Sequence, residues 1–184
     1  MRWRECIRER VIKYMGSIGK QSVNIFSGFG KDTYADEKIR TIITDFKNKY
    51  GDSKTEYGIV IDDTGKITSR VGGTKNAVDM VAGKGKLSVH NHPSGSTMFS
   101  AKDLTLVGTD AGNGAKGAVI ITSNGYAIIQ TGANFKWMEF GSKFYNPDFR
   151  EKWRLASDTQ ADTWLRNNQQ KYGYKYTRVL NKDK

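Results

Sequence analysis

"LSVHNHPSGSTMFSAKDL", residues 87 to 104, contains both histidines of a 184-residue chain, two positions apart, followed by a serine and an aspartate. "LSVHNH" has the length and alternation of a strand, Pro93 biases His92 toward extended backbone, and Pro93-Ser94-Gly95 then turns the chain. A helix is expected from about Ser100. Side chains alternate between the faces of a strand, so His90 and His92 point to one side and Asn91 to the other. Asp103, early in the following helix, can return a carboxylate to the point where the imidazoles converge. Two histidines, a carboxylate and a water make a catalytic zinc arrangement, and a metal-bound water has its pKa lowered to about 7. Ligand types alone also admit iron or manganese. Ser100 and Asp103 have, equally, the spacing of a helix capping box.

Upstream of this stretch, Ile39, Ile42, Ile43, Phe46 and Tyr50 recur at helical spacing and Gly51 follows, which predicts a helix over 35–50. "EYGIVID", "DDTG" and "KITSRV" read as strand, turn and returning strand. "TKNAVDMVA" reads as a short helix and "GKGK" as the turn before the histidine strand. Downstream, residues 100–112 read as a helix, and "GAVIITSNGYAIIQ" as two strands about a type I′ turn at Asn124-Gly125. This order implies an α/β (α+β) fold, a mixed sheet packed by helices.

The outer segments differ from this middle. Trp3, Ile7, Val11 and Met15 suggest a basic amphipathic helix, followed by a glycine-rich linker to residue 34. From Asn134 the chain reads as a helical extension, with Ser157 or Asp158 as a cap for its last helix. That extension holds 11 of the 21 aromatic residues, and Trp153 and Trp164 fall in helix-like stretches, so packing is expected in preference to stacking on bases. Three segments result: a basic helix and linker over 1–34, a metal-binding domain over 35–133, and an aromatic-rich basic extension over 134–184.

Composition narrows the functional classes. Hydrophobic residues are 37% of the chain and aromatics 11%, enough for a folded core. The net charge of +11 resides in the flanks: residues 51–133 carry 8 basic and 7 acidic side chains, against 11 and 6 in each outer segment. Such flanks suit nucleic acid or an acidic protein, although solubility alone explains them as well. Cys6 is the single cysteine, so neither an internal disulfide nor a thiolate zinc cage is available, and any metal must use His, Asp or Glu. No apolar run reaches membrane-span length and no signal-peptide block opens the sequence, so a cytoplasmic location with no membrane span is expected.

The run His90-Asn91-His92-Pro93-Ser94-Gly95 with Phe99-Ser100 and Asp103 resembles the JAMM (MPN-domain) metalloprotease family, whose motif is H-x-H-P, a spacer, then S-x-x-D. The "HNHPSG" form is most similar to the RadC-type and phage-associated bacterial branch, and the resemblance covers about residues 54–132. It implies a cytidine deaminase-like core, zinc (Zn2+) on His90, His92 and Asp103, and Ser100 as hydrogen-bond donor to the oxyanion of the tetrahedral intermediate. It also implies an upstream glutamate as general base. Of six glutamates, Glu56 opens an apolar strand inside the resembling region, and Glu37, in the first turn of a helix, is the reserve. The activity implied is that of a zinc metallopeptidase or isopeptidase acting on a protein or peptide. Two alternatives are a nucleic-acid-associated RadC-type or phage protein that uses its basic flanks for DNA or assembly contacts, and a module in which zinc chiefly stabilises the fold. Met98 and Phe99 border the site in sequence as channel-lining candidates, and Phe99 is equally suited to anchor its loop in the core.

Overall fold

A computed structural model describes residues 26–181. The amphipathic helix expected at the amino terminus lies outside the described residues, as does most of the linker. Helix α1 (Thr33–Tyr50) begins where the Asp32 carboxylate accepts the Ala35 N–H at 2.8 Å, two residues earlier than the apolar spacing predicts. Strands β1 (Tyr57–Ile61) and β2 (Ile67–Gly72) form a hairpin, and β3 (Leu87–Asn91) carries the histidines. Helix α2 (Ala101–Gly112), strands β4 (Gly117–Thr122) and β5 (Gly125–Thr131), helices α3 (Trp137–Tyr145), α4 (Pro147–Leu155) and α5 (Asp158–Tyr172), and strand β6 (Tyr174–Leu180) follow.

The strands form one sheet in the order β2-β1-β3-β4-β5-β6. Only β3 and β4 run parallel, and α2 supplies the crossover that a parallel pair needs. Ile59, Ile61, Leu87, Val89, Val119 and Ile121 face one side, where Ile39, Ile43 and Phe46 of α1 cover them. Ala118, Ile120, Ala127 and Ile129 face the other, under Leu104, Val107, Phe140, Phe144, Trp153 and Leu165 of α2 to α5. Burial on both faces explains why "GAVIIT" is an unbroken run with every residue of β4 buried. Among the described residues the chain is therefore a mixed α+β protein with a six-stranded mixed sheet and five helices. No helix among them is long and apolar enough to cross a membrane.

Three local expectations require correction. The "TKNAVDMVA" segment is irregular and holds no helix. Its apolar residues are used singly: Val78 is buried, Met80 occupies the space left by the absent side chain of Gly58, and Val81 is exposed. The Ala82 N–H is tied to the Asp110 carboxylate at 2.9 Å, so these contacts draw the segment across the sheet in place of a helical hydrogen-bond ladder.

The β4–β5 turn is not type I′. Thr122 pairs with Gly125, which leaves Ser123 and Asn124 as the central residues, and no described non-glycine residue has positive φ. Asn124 instead joins neighbouring elements, donating from its side chain to Gly95 O at 3.1 Å and accepting the Asn181 N–H at 2.8 Å. Gly125, with φ +150°, is required because a Cβ there would collide with the Val179 carbonyl of β6.

The carboxy-terminal extension is not wholly helical. After Gly173 it enters β6, which pairs with β5 from Gly125↔Leu180 to Thr131↔Tyr174. Ser157 is the cap of α5, sharing a reciprocal capping box with Gln160. The aromatics pack, as expected: Phe140, Phe144, Trp153, Tyr172, Tyr174 and Tyr176 are buried, and Trp153 stands edge-on to Phe144 at 5.2 Å. Because the β5–β6 seam depends on Gly125, Gly125→Ala is expected to destabilise the protein by about 2–3 kcal/mol. Denaturant unfolding tests the magnitude, and hydrogen exchange tests whether the Tyr174–Leu180 amides lose protection first.

Candidate metal centre

Strand alternation places Ser88 and His90 on the α2 face of the sheet and Val89 and Asn91 on the α1 face. His90 and His92 are 6% and 9% exposed, and their Nε2 atoms lie 3.0 Å apart. Asp103 reaches them from the first turn of α2, with Oδ1 3.4 Å from His90 Nε2 and Oδ2 3.3 Å from His92 Nε2. Ligands about 2.0–2.1 Å from a tetrahedral ion stand roughly 3.3–3.4 Å apart, close to each of these separations, with the carboxylate meeting the two imidazoles through different oxygens. The His90, His92 and Asp103 group can hold a metal ion.

The surrounding hydrogen bonds orient the donors. His92 Nδ1 faces Ser96 O at 3.3 Å; as an N–H it leaves Nε2 a lone pair toward the cluster. His90 Nδ1 is the one buried side-chain polar atom among the described residues without a partner. Two imidazole nitrogens at 3.0 Å need a proton or a cation between them, and a cation satisfies both rings and the carboxylate together. The capping box expected of Ser100 and Asp103 is formed: Ser100 Oγ accepts the Asp103 N–H at 3.1 Å, while Asp103 Oδ2 accepts the Ser100 N–H at 2.7 Å. The capping box thus fixes the carboxylate rotamer, and the exposed Ser100 hydroxyl keeps its proton free to donate.

Glu56 immediately precedes β1 and shares the parity of Gly58, which lies opposite His90 in register. It lines the same cavity, of about 1110 Å³, as His90, His92, Ser100 and Asp103. Asn91, between the histidines and on the other face, secures its position. The Asn91 side chain donates to Thr55 O at 3.1 Å and accepts the Tyr57 N–H at 2.6 Å, gripping the backbone on both sides of Glu56. Glu37 is exposed on α1, the helix covering the opposite face, and does not line the cavity. Met98 and Phe99 touch the cavity but are 7% and 1% exposed, so both act mainly as core anchors of the loop.

The sequence reading missed part of the cavity lining. Pro147, Arg150, Trp153 and Asp158, from α4 and the start of α5, line the same cavity as His90, His92 and Asp103, as do Lys75 and Met80. The same extension fastens the loop between His92 and Ser100. Trp153 Nε1 donates to Phe99 O at 2.9 Å, Arg178 Nε to Thr97 Oγ1 at 2.7 Å, and Ser96 Oγ to Asp158 at 3.1 Å. No spacing rule joins residues 150 or 178 to residue 97; the sole local signal was the density of aromatics after Asn134.

Protonation follows from this crowding. Burial pushes the Glu56 carboxyl up, with the charges of His92 and His90 pulling the other way. Burial opposes ionisation of Asp103 as well, yet the adjacent His90 and His92 hold it well below the usual carboxylate range. Burial would lower His92, but the hydrogen bond and charge of Asp103, followed by the charge of Glu56, raise it.

Comparison with protein-family models, with curated proteins and with solved structures finds no match to this chain.

A raised histidine pKa stabilises the fold fully below the unfolded value of about 6.5, and that contribution is lost as pH rises through the folded value. Chelator-treated protein should accordingly melt at lower temperature as pH rises from about 6 to 8, with a shallower dependence in His92→Gln. With metal added the sign reverses, because protons compete for the ligands and metal stabilisation grows with pH. Melting curves with and without metal across that window test both signs.

Proposed function

We propose that this chain is a zinc-dependent hydrolase of the JAMM type, with an MPN-like core, that cleaves an amide bond in a protein or peptide. The observation that carries the reading is a carboxylate outside the ligand group, Glu56, held on an Asn91 clamp in the same cleft as His90, His92 and Asp103. A site built for stability alone needs three or four ligands and no independently positioned base. The donor set of two imidazoles and one carboxylate suits zinc. Zinc bound there supplies Lewis-acid activation of water and of the scissile carbonyl.

The protein's own groups account for the proton transfers. Glu56 takes a proton from the attacking water as the oxygen adds to the carbonyl carbon, and delivers it to the leaving nitrogen as the C–N bond breaks. The water's oxygen ends in the new carboxylate, and its protons pass to the amine and the medium. Burial raises the Glu56 pKa, which makes it a better proton acceptor, and the charges of His92 and His90 pull the other way. Ser100 donates its hydroxyl proton to the oxygen on which negative charge develops, while its own oxygen remains bound to the Asp103 N–H. Asn91 is a positioning residue that acts through the peptide carrying Glu56.

Metal analysis and a peptide-library digest of tag-free protein test the proposal. Wild type should carry near-stoichiometric zinc and cleave. His92→Ala and Asp103→Ala should lose both properties, and Glu56→Gln should keep the metal while its turnover falls by roughly 10²–10⁴-fold. Ser100→Ala should keep the metal with a fall in kcat of about 10²-fold. Full turnover in Glu56→Gln would overturn the assignment of the base, and absence of stoichiometric metal would overturn the whole reading.

A further inference from the structure

We infer that the cleft selects polypeptide segments with acidic residues beside the scissile amide, an inference that rests on the peptidase reading of the same site. The walls of the cavity carry five basic side chains, Lys54, Lys75, Lys102, Arg150 and Arg154. Two of them are already engaged: Arg154 with Glu151 at 2.7 Å, and Lys102, more loosely, with Asp79 at 3.5 Å. Lys54, Lys75 and Arg150 have no protein partner among the described contacts. They come from three separate places: the approach to β1, the irregular segment before β3, and α4.

The carboxylates of the cavity do not neutralise them. Asp158 is held by Arg178 at 2.7 Å and by Ser96 Oγ, Glu151 by Arg154, and Asp110 accepts the Ala82 N–H. Asp103 belongs to the ligand group, and Glu56 is the proposed base. The lining holds five basic and five acidic side chains, and Lys54, Lys75 and Arg150 are the cations in it that no carboxylate pairs directly. Electrostatic complementarity of this kind favours an anionic substrate and speeds its encounter.

Lining chemistry distinguishes a peptide from a nucleic acid. Apolar surface from Met80, Leu106 and Pro147, none of them buried, accompanies the basic groups and suits side chains of a polypeptide. Nucleic-acid grooves add exposed aromatic platforms on which bases stack. The two aromatic residues of this cavity, Phe99 and Trp153, are 1% and 8% exposed, and the Trp153 indole N–H is committed to Phe99 O. The basic groups thus lack the stacking surface that would complete a nucleic-acid site.

The test measures binding and cleavage separately. Full-length, zinc-loaded Glu56→Gln is titrated with labelled short peptides identical except for carrying Glu, Gln or Lys, and with a labelled oligothymidylate. The Glu peptide should bind about tenfold more tightly than the Gln peptide, a ratio that shrinks at high salt. Lys75→Glu with Arg150→Glu in the same background should abolish the preference, with zinc content and melting temperature as controls for folding. Lys175→Glu, on β6 and outside the cavity lining, should leave it intact. Equal binding of the three peptides, a preference that survives the charge reversals, or displacement of the Glu peptide by tighter-binding oligothymidylate would each overturn the inference. Incubation of the same peptides with zinc-loaded wild type decides the other reading. Acid-selective binding with no peptide cut would leave the recognition standing and remove the peptidase assignment. Cleavage indifferent to charge would do the reverse.

Discussion

Three donor atoms that repel or desolvate one another must be held at one buried point, and much of the architecture serves that requirement. His90 and His92 converge because a strand repeats every two residues, and Asp103 meets them because a capping box fixes its carboxylate at the start of α2. Neither device suffices alone. The loop between them must also return the chain from the end of β3 to the helix start within a few tenths of an ångström. That precision comes from outside the motif, through Trp153, Arg178 and Asp158.

The carboxy-terminal extension is therefore part of the centre. Its helices bury an aromatic cluster on the sheet, its last strand extends the sheet, and its side chains grip the loop that separates the ligands. It also supplies Pro147, Arg150, Trp153 and Asp158 to the lining of the cavity that holds the histidines, so that lining is composite. The ligands come from the central unit and much of the rim from the extension. Basic charge after Asn134 has a specific use at Arg178, which is largely buried between Thr97 and Asp158 and cannot be counted as a solvated flank.

Legibility varied with the range of the forces involved. The helix over 35–50, the β1–β2 hairpin and the strand, turn and helix around the histidines were readable because periodicity and capping act over a few residues. "TKNAVDMVA" misled because five scattered apolar residues imitate a helical face, whereas Gly58 and Asp110 engage Met80 and the Ala82 backbone separately. Asn124-Gly125 misled in another way: the glycine answers the close approach of β6, a partner nearly sixty residues distant in sequence. The alternation of Tyr174, Lys175 and Tyr176 after Gly173 was a strand signal, and it was overshadowed by the helices before it.

By itself the sequence determined which side chains can serve as ligands. With one cysteine and two histidines, the HxHP run and the S-x-x-D spacing admit a single local arrangement, because strand and helix periods are properties of the backbone. Only the tertiary structure separated Glu56, which lines the cavity with the histidines, from Glu37, which does not. The difference depends on which face of the sheet each approaches, and on the Asn91 amide that joins residues 55 and 57 to a strand more than thirty positions away. It also decided that the extension lines the cavity, because burying its aromatics against β5 and α2 carries Arg150 to the lining and Trp153 and Arg178 to the loop between His92 and Ser100, and no local rule encodes that distance.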